Sequence, residues 1–373
     1  MKIIIASDSY KNCLSSDRIG EIIKKRLIED NPEIQAEVIP VADGGEGTME
    51  TLVDGLNGQY VLTNVLNPIG KNAIASYGMI SGTAIIEMSR ASGLQLLDKN
   101  ERNPLKTTTY GTGMLMLDAL NKDCKDLIIG LGGSATNDGG MGMAEALGVK
   151  FYDAKGKILK GCGENLEKVE KIDVSEISPL LNGAKILAAC DVTNTLCGKN
   201  GAAYIYGPQK GATQEIVERL DKGLQHFADV IKRELGVEVK DIKGSGAAGG
   251  LGAGLVAFAG AKLKRGFDII SGMLGLEKKI ASADVVVTGE GSTDIQTAFG
   301  KVPYGIVKIC AKYNKKCYLI SGTIENKEEV ISNGFTSCYE LKKDGMTVED
   351  SIINVKSLLV EATDKLAKEL RLK

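Results

Sequence analysis

Tryptophan is missing from this chain, and aromatic residues make up only 5% of its 373 positions. A surface that stacks nucleic-acid bases is therefore not expected. Basic blocks are missing too. Lys and Arg number 46 against 48 Asp and Glu, a net charge of -2, so neither nucleic acid nor an anionic membrane is an expected partner. There is one histidine, His226, placed beside Phe227 in a predicted helix. Acyl transfer or phosphohistidine chemistry would rest on it alone, and it cannot complete a zinc pattern. None of the eight cysteines (Cys13, Cys124, Cys162, Cys190, Cys197, Cys310, Cys317, Cys338) pairs as CxxC. The apolar run at residues 3–6 is too short for a secretory leader, so reduced thiols and a cytoplasmic location are expected. The longest weakly apolar stretch, residues 246–261, is mostly Gly and Ala and falls short of a membrane span. Walker A, the HRD and DFG motifs of protein kinases, and a G-x-S-x-G elbow are all absent.

What the chain has in excess is glycine, 46 residues of it. The densest cluster is GLGGSATNDGG, residues 130–140, where five of eleven positions are glycine. It follows the apolar run Leu127-Ile128-Ile129 and leads into a helical pattern at 141–147. A glycine-rich loop between strand and helix lets backbone N–H groups approach an anion, with the helix dipole adding positive charge.

The length favours two domains. Residues 2–6, 37–41 and 60–66 read as strands alternating with helices at 15–27 and 48–56, a pattern that implies a parallel sheet. The same texture returns with strands at 284–288 and 317–320, a helix at 303–313 and a long amphipathic helix at 348–370. Between them lie paired strands at 73–80 and 83–88, a hairpin signal at 153–156 and a long helix at 213–235. The expected fold is α/β. A Rossmann-like parallel-sheet domain is built from both chain ends, residues 1–66 and 284–373. A second α/β domain, residues 67–283, is inserted into it, with the active site in the cleft between them.

Ligands of open parallel sheets bind beyond the carboxyl ends of the strands. In the terminal domain those ends carry Ser7-Asp8-Ser9-Tyr10-Lys11, Asp43-Gly44-Gly45-Glu46, Thr288-Gly289-Glu290-Gly291 and Ser321-Gly322-Thr323, a polar and partly anionic set. The inserted domain adds the 130–140 loop, the strand end Ala189-Cys190-Asp191 and Gly207-Pro208-Gln209-Lys210. Carboxylates with small polar neighbours suit Mg²⁺ held together with phosphate oxygens, and lysines suit phosphate. Such a kit points to phosphoryl transfer, where catalysis is mostly positioning and charge stabilisation. Two G-x-G-x-x-G-like matches, at 244–249 and 130–135, raise a nicotinamide site as an alternative. The first follows a polar segment rather than a clear strand.

Taken together, the motifs resemble the glycerate kinase family, the bacterial type with two α/β domains. The resemblance runs nearly end to end and rests on eight motifs in order. They are VADGGEGT (41–48), IEM-x-x-ASGL (86–94), NPLKTTTYGTG (103–113), GLGGSATNDGG (130–140), ACDV (189–192), GPQKGA (207–212), GAAGGLGAG (246–254) and TGEGSTDIQTAFGK (288–301). It implies ATP-dependent, Mg²⁺-assisted phosphorylation of glycerate, with 2-phosphoglycerate favoured over 3-phosphoglycerate. Ser7 and Asn12 stand where the family pattern carries proline and glycine, and Thr195 where it carries proline. A related hydroxy acid is thereby an alternative acceptor, while the retained Asp8, Ser9 and Lys11 favour glycerate.

Roles are expectations within that resemblance. Lys11 and Asp191 are the catalytic candidates. Lys11 would bind the substrate carboxylate or the transferring phosphoryl group, and Asp191 would orient the hydroxyl and take its proton. Asp8, Ser9, Lys11 and Asp43 are expected at the substrate, and Asp43 and Glu290 at Mg²⁺. Gly132, Gly133, Ser134, Thr136, Asn137, Asp138 and Lys210 are expected at the nucleotide. A monomer or homodimer is expected. The rivals are a nicotinamide-dependent hydroxy-acid oxidoreductase and a catalytically inactive sensor that binds glycerate or ATP.

Overall fold

The computed structural model describes residues 1–10, 13–294 and 301–371. They form two compact units, one from Met1–Asp43, Asp54–Leu56 and Phe267–Lys373, the other from Gly44–Val53 and Asn57–Gly266.

The first unit is built on a five-stranded sheet in the order Ser337–Glu340, Lys316–Ile324, Val285–Thr293, Lys2–Ser7, Gln35–Val38. All its pairings are parallel. The central strands are apolar on both faces, as a sheet covered on both sides requires. Ile3, Ile5, Val285, Val287, Tyr318 and Ile320 share a core with Ile19, Ile23 and Leu27 of the Ser16–Asp30 helix and with Leu358, Leu359 and Leu366 of the Val355–Arg371 helix. Ile4, Val286 and Leu319 alternate to the opposite face and are fully buried, where the Val302–Lys312 helix packs. The second strand ends at Val38, short of the expected 37–41, because Pro40 has no N–H to continue the ladder. Ser16 ties the first helix to the strand end. Its hydroxyl bonds the Ser7 carbonyl and accepts from Val41 N at 3.0 Å.

Two expectations are corrected here. Residues 60–66 were expected as a third parallel strand of this unit. Instead Gln59–Leu66 pairs antiparallel with Asn72–Ile80 in the other unit. The intervening turn decides it. Asn67 Oδ1 accepts from Ile69 N (3.1 Å) and Lys71 N (2.9 Å), and Gly70 takes φ 78°, so the chain folds straight back. The single C-terminal helix is two, Val348–Ile353 and Val355–Arg371, broken at Asn354 (φ -97°, ψ 11°). The Asn354 side chain donates to Asp350 O at 2.8 Å, a local bond that competes with helix continuation.

The second unit holds a six-stranded mixed sheet, Lys262–Lys264, Lys185–Ala189, Asp126–Gly130, Thr83–Glu87, Asn72–Ile80, Gln59–Leu66, and a small three-stranded sheet around Phe151. Phe151, Phe227 and Phe258 form an aromatic cluster with centroids 5.7–6.2 Å apart. The Gln214–Leu235 helix is capped by Thr213 and stopped by Gly236 at φ 70°. The Ala247–Ala259 helix begins with three successive left-handed residues, Ala248, Gly249 and Gly250. A Cβ on Gly249 would sit 1.9 Å from Thr136 O, and one on Gly254 2.6 Å from Gly139 O. These glycines seat the helix on the 130–140 loop. Among the described residues no helix is long and apolar enough to cross a membrane, and the eight cysteines are all free.

Replacing Gly249 with alanine imposes both the left-handed penalty and a backbone clash, and should cost about 2–4 kcal/mol. Gly260→Ala has the same sign of φ but open space around it and should cost about 1 kcal/mol. Urea unfolding of the two variants checks this; equal losses would contradict the packing role of Gly249.

Candidate active site

Strand order places a crevice in the first unit. From Lys2–Ser7 the chain moves outward to Gln35–Val38, whereas from Val285–Thr293 it moves the other way, to Lys316–Ile324 and then Ser337–Glu340. The carboxyl ends of Lys2–Ser7 and Val285–Thr293 therefore flank a topological switch point, where open α/β sheets bind their ligands. Asp8 N donates to Gly289 O at 2.8 Å across it. A Cβ on Gly289 would lie 2.1 Å from Ile320 O, so only glycine fits between the strands.

A cavity of about 300 Å³ opens there, lined by Asp8, Ser9, Asp43, Glu290 and Lys301 on its polar side and by Tyr10, Leu341, Val348 and Val355 among others on its apolar side. Asp8 is 7% and Glu290 4% exposed. Asp8 Oδ1 accepts from Ser9 N at 2.7 Å. Glu290 Oε1 accepts from Thr293 Oγ1 at 3.0 Å, and Lys301 Nζ stands 3.8 Å from Glu290 Oε2. Burial pushes the Glu290 carboxyl up to about 8, with Asp8 and Asp294 adding to the rise and Lys301 and Thr293 opposing it. The crevice thus gathers Asp8, Ser9, Asp43 and Glu290, all expected from sequence. Lys11, the remaining expected substrate contact, lies outside the described residues. The structure adds Lys301 and Tyr10 to this set and, through its bond to Glu290, Thr293. Lys301 was visible as the last residue of the TGEG motif, but nothing in the spacing said that it turns back on Glu290.

Among the described residues no cluster of three or more His, Cys, Asp and Glu is arranged to hold a metal. Mg²⁺ needs less, one or two carboxylates together with phosphate oxygens. Three carboxylates facing one described ammonium, with Glu290 held so far from its usual range, form a donor set that a divalent cation would relieve, so the residues fit the ion.

In the second unit the 130–140 loop leaves the Asp126–Gly130 strand and enters the Met141–Ala146 helix. Gly132 and Gly133 are exposed. A Cβ on Gly132 would meet Gly45 Cα at 3.4 Å, and one on Gly130 would meet Gly44 O at 3.0 Å. The glycine turn of residues 44–47 therefore abuts this loop backbone to backbone. The rest of the loop is stitched down. Leu94 N donates to Gly133 O and Ala135 N to Ser92 O, while Thr107 Oγ1 donates to Ala135 O at 2.9 Å.

Thr136, Asn137 and Asp138 are fully buried and Lys210 is 1% exposed. Expected at the nucleotide, these four present no surface to a ligand. Asp138 instead accepts from Thr109 N and Oγ1, Gly140 N and Gly142 N. Lys210 Nζ donates to Ser134 Oγ at 2.7 Å and Thr136 O at 2.6 Å. Asp138 and Lys210 fix the loop from within, whereas Thr136 Oγ1 and both polar atoms of the Asn137 side chain are buried with no hydrogen-bond partner among the described residues. Ser134, 9% exposed, sits at the boundary.

Asp191 lies at the end of the Lys185–Ala189 strand. It is exposed, and its Oδ1 accepts from Gly266 N at 2.9 Å. Arg90, at an unspecified position of the 86–94 motif, is ion-paired to Glu50 and, at 3.1 Å, to Glu87. Glu87, 3% exposed, also accepts from Met49 N at 3.0 Å. The 244–249 glycines follow a loop and pack a helix against the 130–140 loop. They are not the strand-to-helix turn that a dinucleotide site requires.

A switch-point crevice rich in carboxylates and a glycine-rich loop at a strand end define an α/β protein equipped for phosphoryl transfer. The model of the glycerate kinase family matches residues 3–371, and the chain belongs to that family. It is 43% identical to the glycerate 2-kinase of Escherichia coli K12, over 99% of this chain and 98% of that one. It is 42% identical to the glycerate kinase of Halalkalibacterium halodurans, over 98% and 97%. A crystal structure of a putative glycerate kinase 2 from Salmonella typhimurium LT2 superposes with a TM-score of 0.90 at 43% identity, covering 100% of this chain and 98% of that one.

Titration of Glu290 gives a test of the crevice. Its folded-state value lies above its ordinary 4.5, so the folded state keeps a proton that the unfolded chain has lost. Stability should fall as pH rises from about 4.5 to 8. Without Mg²⁺, Glu290→Gln should be more stable than the parent by about 1–3 kcal/mol at pH 8.5, and the advantage should vanish near pH 4.5. Melting curves across this range check it; a pH-independent difference would contradict the assigned burial.

Proposed function

We propose that this protein transfers the γ-phosphoryl group of ATP to the 2-hydroxyl of D-glycerate, giving 2-phosphoglycerate and ADP. The observation that carries the reading is full-length likeness to enzymes named for this substrate, one of them a glycerate 2-kinase. The crevice of the first unit supports it. Ser9 and Asp8 offer a hydroxyl and a carboxylate to the acceptor's hydroxyls. Lys301, together with Lys11, offers positive charge for its carboxylate. Asp43 and Glu290 would hold Mg²⁺, which when bound offsets charge on the phosphate oxygens.

In the second unit, Gly132, Gly133 and Ser134 take the polyphosphate through backbone N–H groups and a hydroxyl. Asp138 and Lys210 support that loop from beneath. Asp191 accepts the proton of the attacking hydroxyl, its carboxylate oriented by the Gly266 N–H. The nicotinamide reading has no comparable support, since the 244–249 match forms no strand-to-helix turn and the relatives over the full length are named glycerate kinases.

Phosphorus NMR of a mixture with ATP, Mg²⁺ and D-glycerate should show 2-phosphoglycerate accumulating with ADP. Absence of ADP would leave the inactive sensor, and 3-phosphoglycerate would overturn the regiochemistry. Asp191→Asn should lower kcat about 10²–10⁴-fold with melting temperature preserved. Turnover near that of the parent would remove Asp191 from the role.

A further inference from the structure

Lys210 is the most unusual charged group in the second unit. It ends the short Pro208–Lys210 turn, its side chain is 1% exposed, and among the described residues no carboxylate pairs with it directly. Both its described hydrogen bonds go to neutral oxygens of one loop, Ser134 Oγ and Thr136 O. A buried ammonium is ordinarily paired, because burying an unpaired one costs several kcal/mol. Burial lowers the Lys210 ammonium to about 7, with Asp138 acting against that fall.

The surrounding charges are few. Asp138 is the charged group that acts on Lys210 from the loop, and four hydrogen-bond donors already surround its carboxylate. Asp138 in turn pushes up the Glu145 carboxyl and the Cys162 thiol, each raised first by its own burial. On the next segment, Arg102 packs its backbone on the residue after Lys210, where a Cβ on Gly211 would meet Arg102 O at 2.5 Å. Ser134, the hydroxyl that Lys210 holds, adjoins the exposed Gly132–Gly133 turn.

We propose that Lys210 is a positioning residue for the nucleotide. Its ammonium fixes Ser134 from below, sets the Gly132–Gly133 turn in its phosphate-binding form, and places a single unneutralised positive charge beneath that turn. This rests on the reading of the loop as the polyphosphate site. One consequence is specific to the charge. Bound polyphosphate favours the protonated ammonium, so binding near and above neutral pH must take up a proton from solvent. A merely structural lysine would not couple its proton to the ligand.

The test is calorimetry of ADP binding, without Mg²⁺ or glycerate, at pH 8 in buffers of different ionisation enthalpy. At this pH ADP itself is fully deprotonated, so any proton taken up goes to the protein. The parent should take up between half a proton and one proton per ADP (order of magnitude from a group near 7 shifted upward). Lys210→Met should abolish the uptake and weaken ADP binding about tenfold. In turnover it should raise KM for ATP by a similar factor while leaving KM for glycerate within about twofold.

Ser134→Ala, a milder change, should keep the uptake because the amine remains. ADP bound by the parent without proton uptake, or uptake unchanged in Lys210→Met, overturns the assignment to Lys210 alone. Failure of the parent to bind ADP overturns the loop as the nucleotide site, and the proposal falls with it. If Lys210→Met does not fold, the parent's uptake decides together with its retention in Ser134→Ala; loss of uptake in that variant overturns the proposal.

Discussion

The parallel pairing of Lys2–Ser7 with Val285–Thr293 is the interaction on which the first unit depends. Ile3 faces Val285, Ile5 faces Val287, and Ser7 faces Gly289, joining strands that lie far apart in the chain. Closing so long a loop costs little more than closing a moderate one, since the entropy grows only with the logarithm of length, and the inserted residues have a core of their own. What the pairing secures is positional. It sets the end of Lys2–Ser7 beside the end of Val285–Thr293, with strand order diverging on either side. Asp8, Ser9 and Glu290 meet at the crevice because this register puts their strand ends level.

Each unit holds one buried charged group pushed far from its ordinary protonation, and the two are of opposite sign. In the first, three carboxylates face one described ammonium, and Glu290 is driven toward neutrality. In the second, an ammonium is buried against two neutral oxygens and driven the same way. Each is an expense in stability that a ligand of the complementary charge would offset: a cation at the carboxylates, a polyphosphate over the loop. Sites under such tension are where function concentrates.

Much of this was legible in the chain. The apolar runs at residues 3–6 and 285–287 are short and continuous, which marks central parallel strands. The charged residues after them, Asp8 and Glu290, were readable as strand-end groups. Glycine density singled out the 130–140 loop. What escaped was decided by contacts between distant residues or by single local bonds. The turn at Asn67 and Gly70 turned an expected parallel strand into an antiparallel one. Asn354 broke a helix whose apolar period runs through uninterrupted. Polarity alone could not tell Gly132, which faces outward, from Asp138 and Lys210, which face inward. Small polar residues serve equally for gripping a ligand and for satisfying a buried backbone, and only burial separates the two.

The pairing of Lys2–Ser7 with Val285–Thr293 also orders events at the ribosome. The second unit, except for the short piece at Gly44–Val53, is continuous from Asn57 to Gly266 and can collapse as soon as it has been made. The Lys2–Ser7 strand, four consecutive apolar residues from Ile3 to Ala6, has no central partner until Val285 emerges. At about 5–20 residues per second, that interval is on the order of tens of seconds. Throughout it, an apolar strand with one open edge must be shielded by its own helix or by a chaperone. A nascent chain stalled before residue 285 would carry a finished second unit and a sticky, half-built first one.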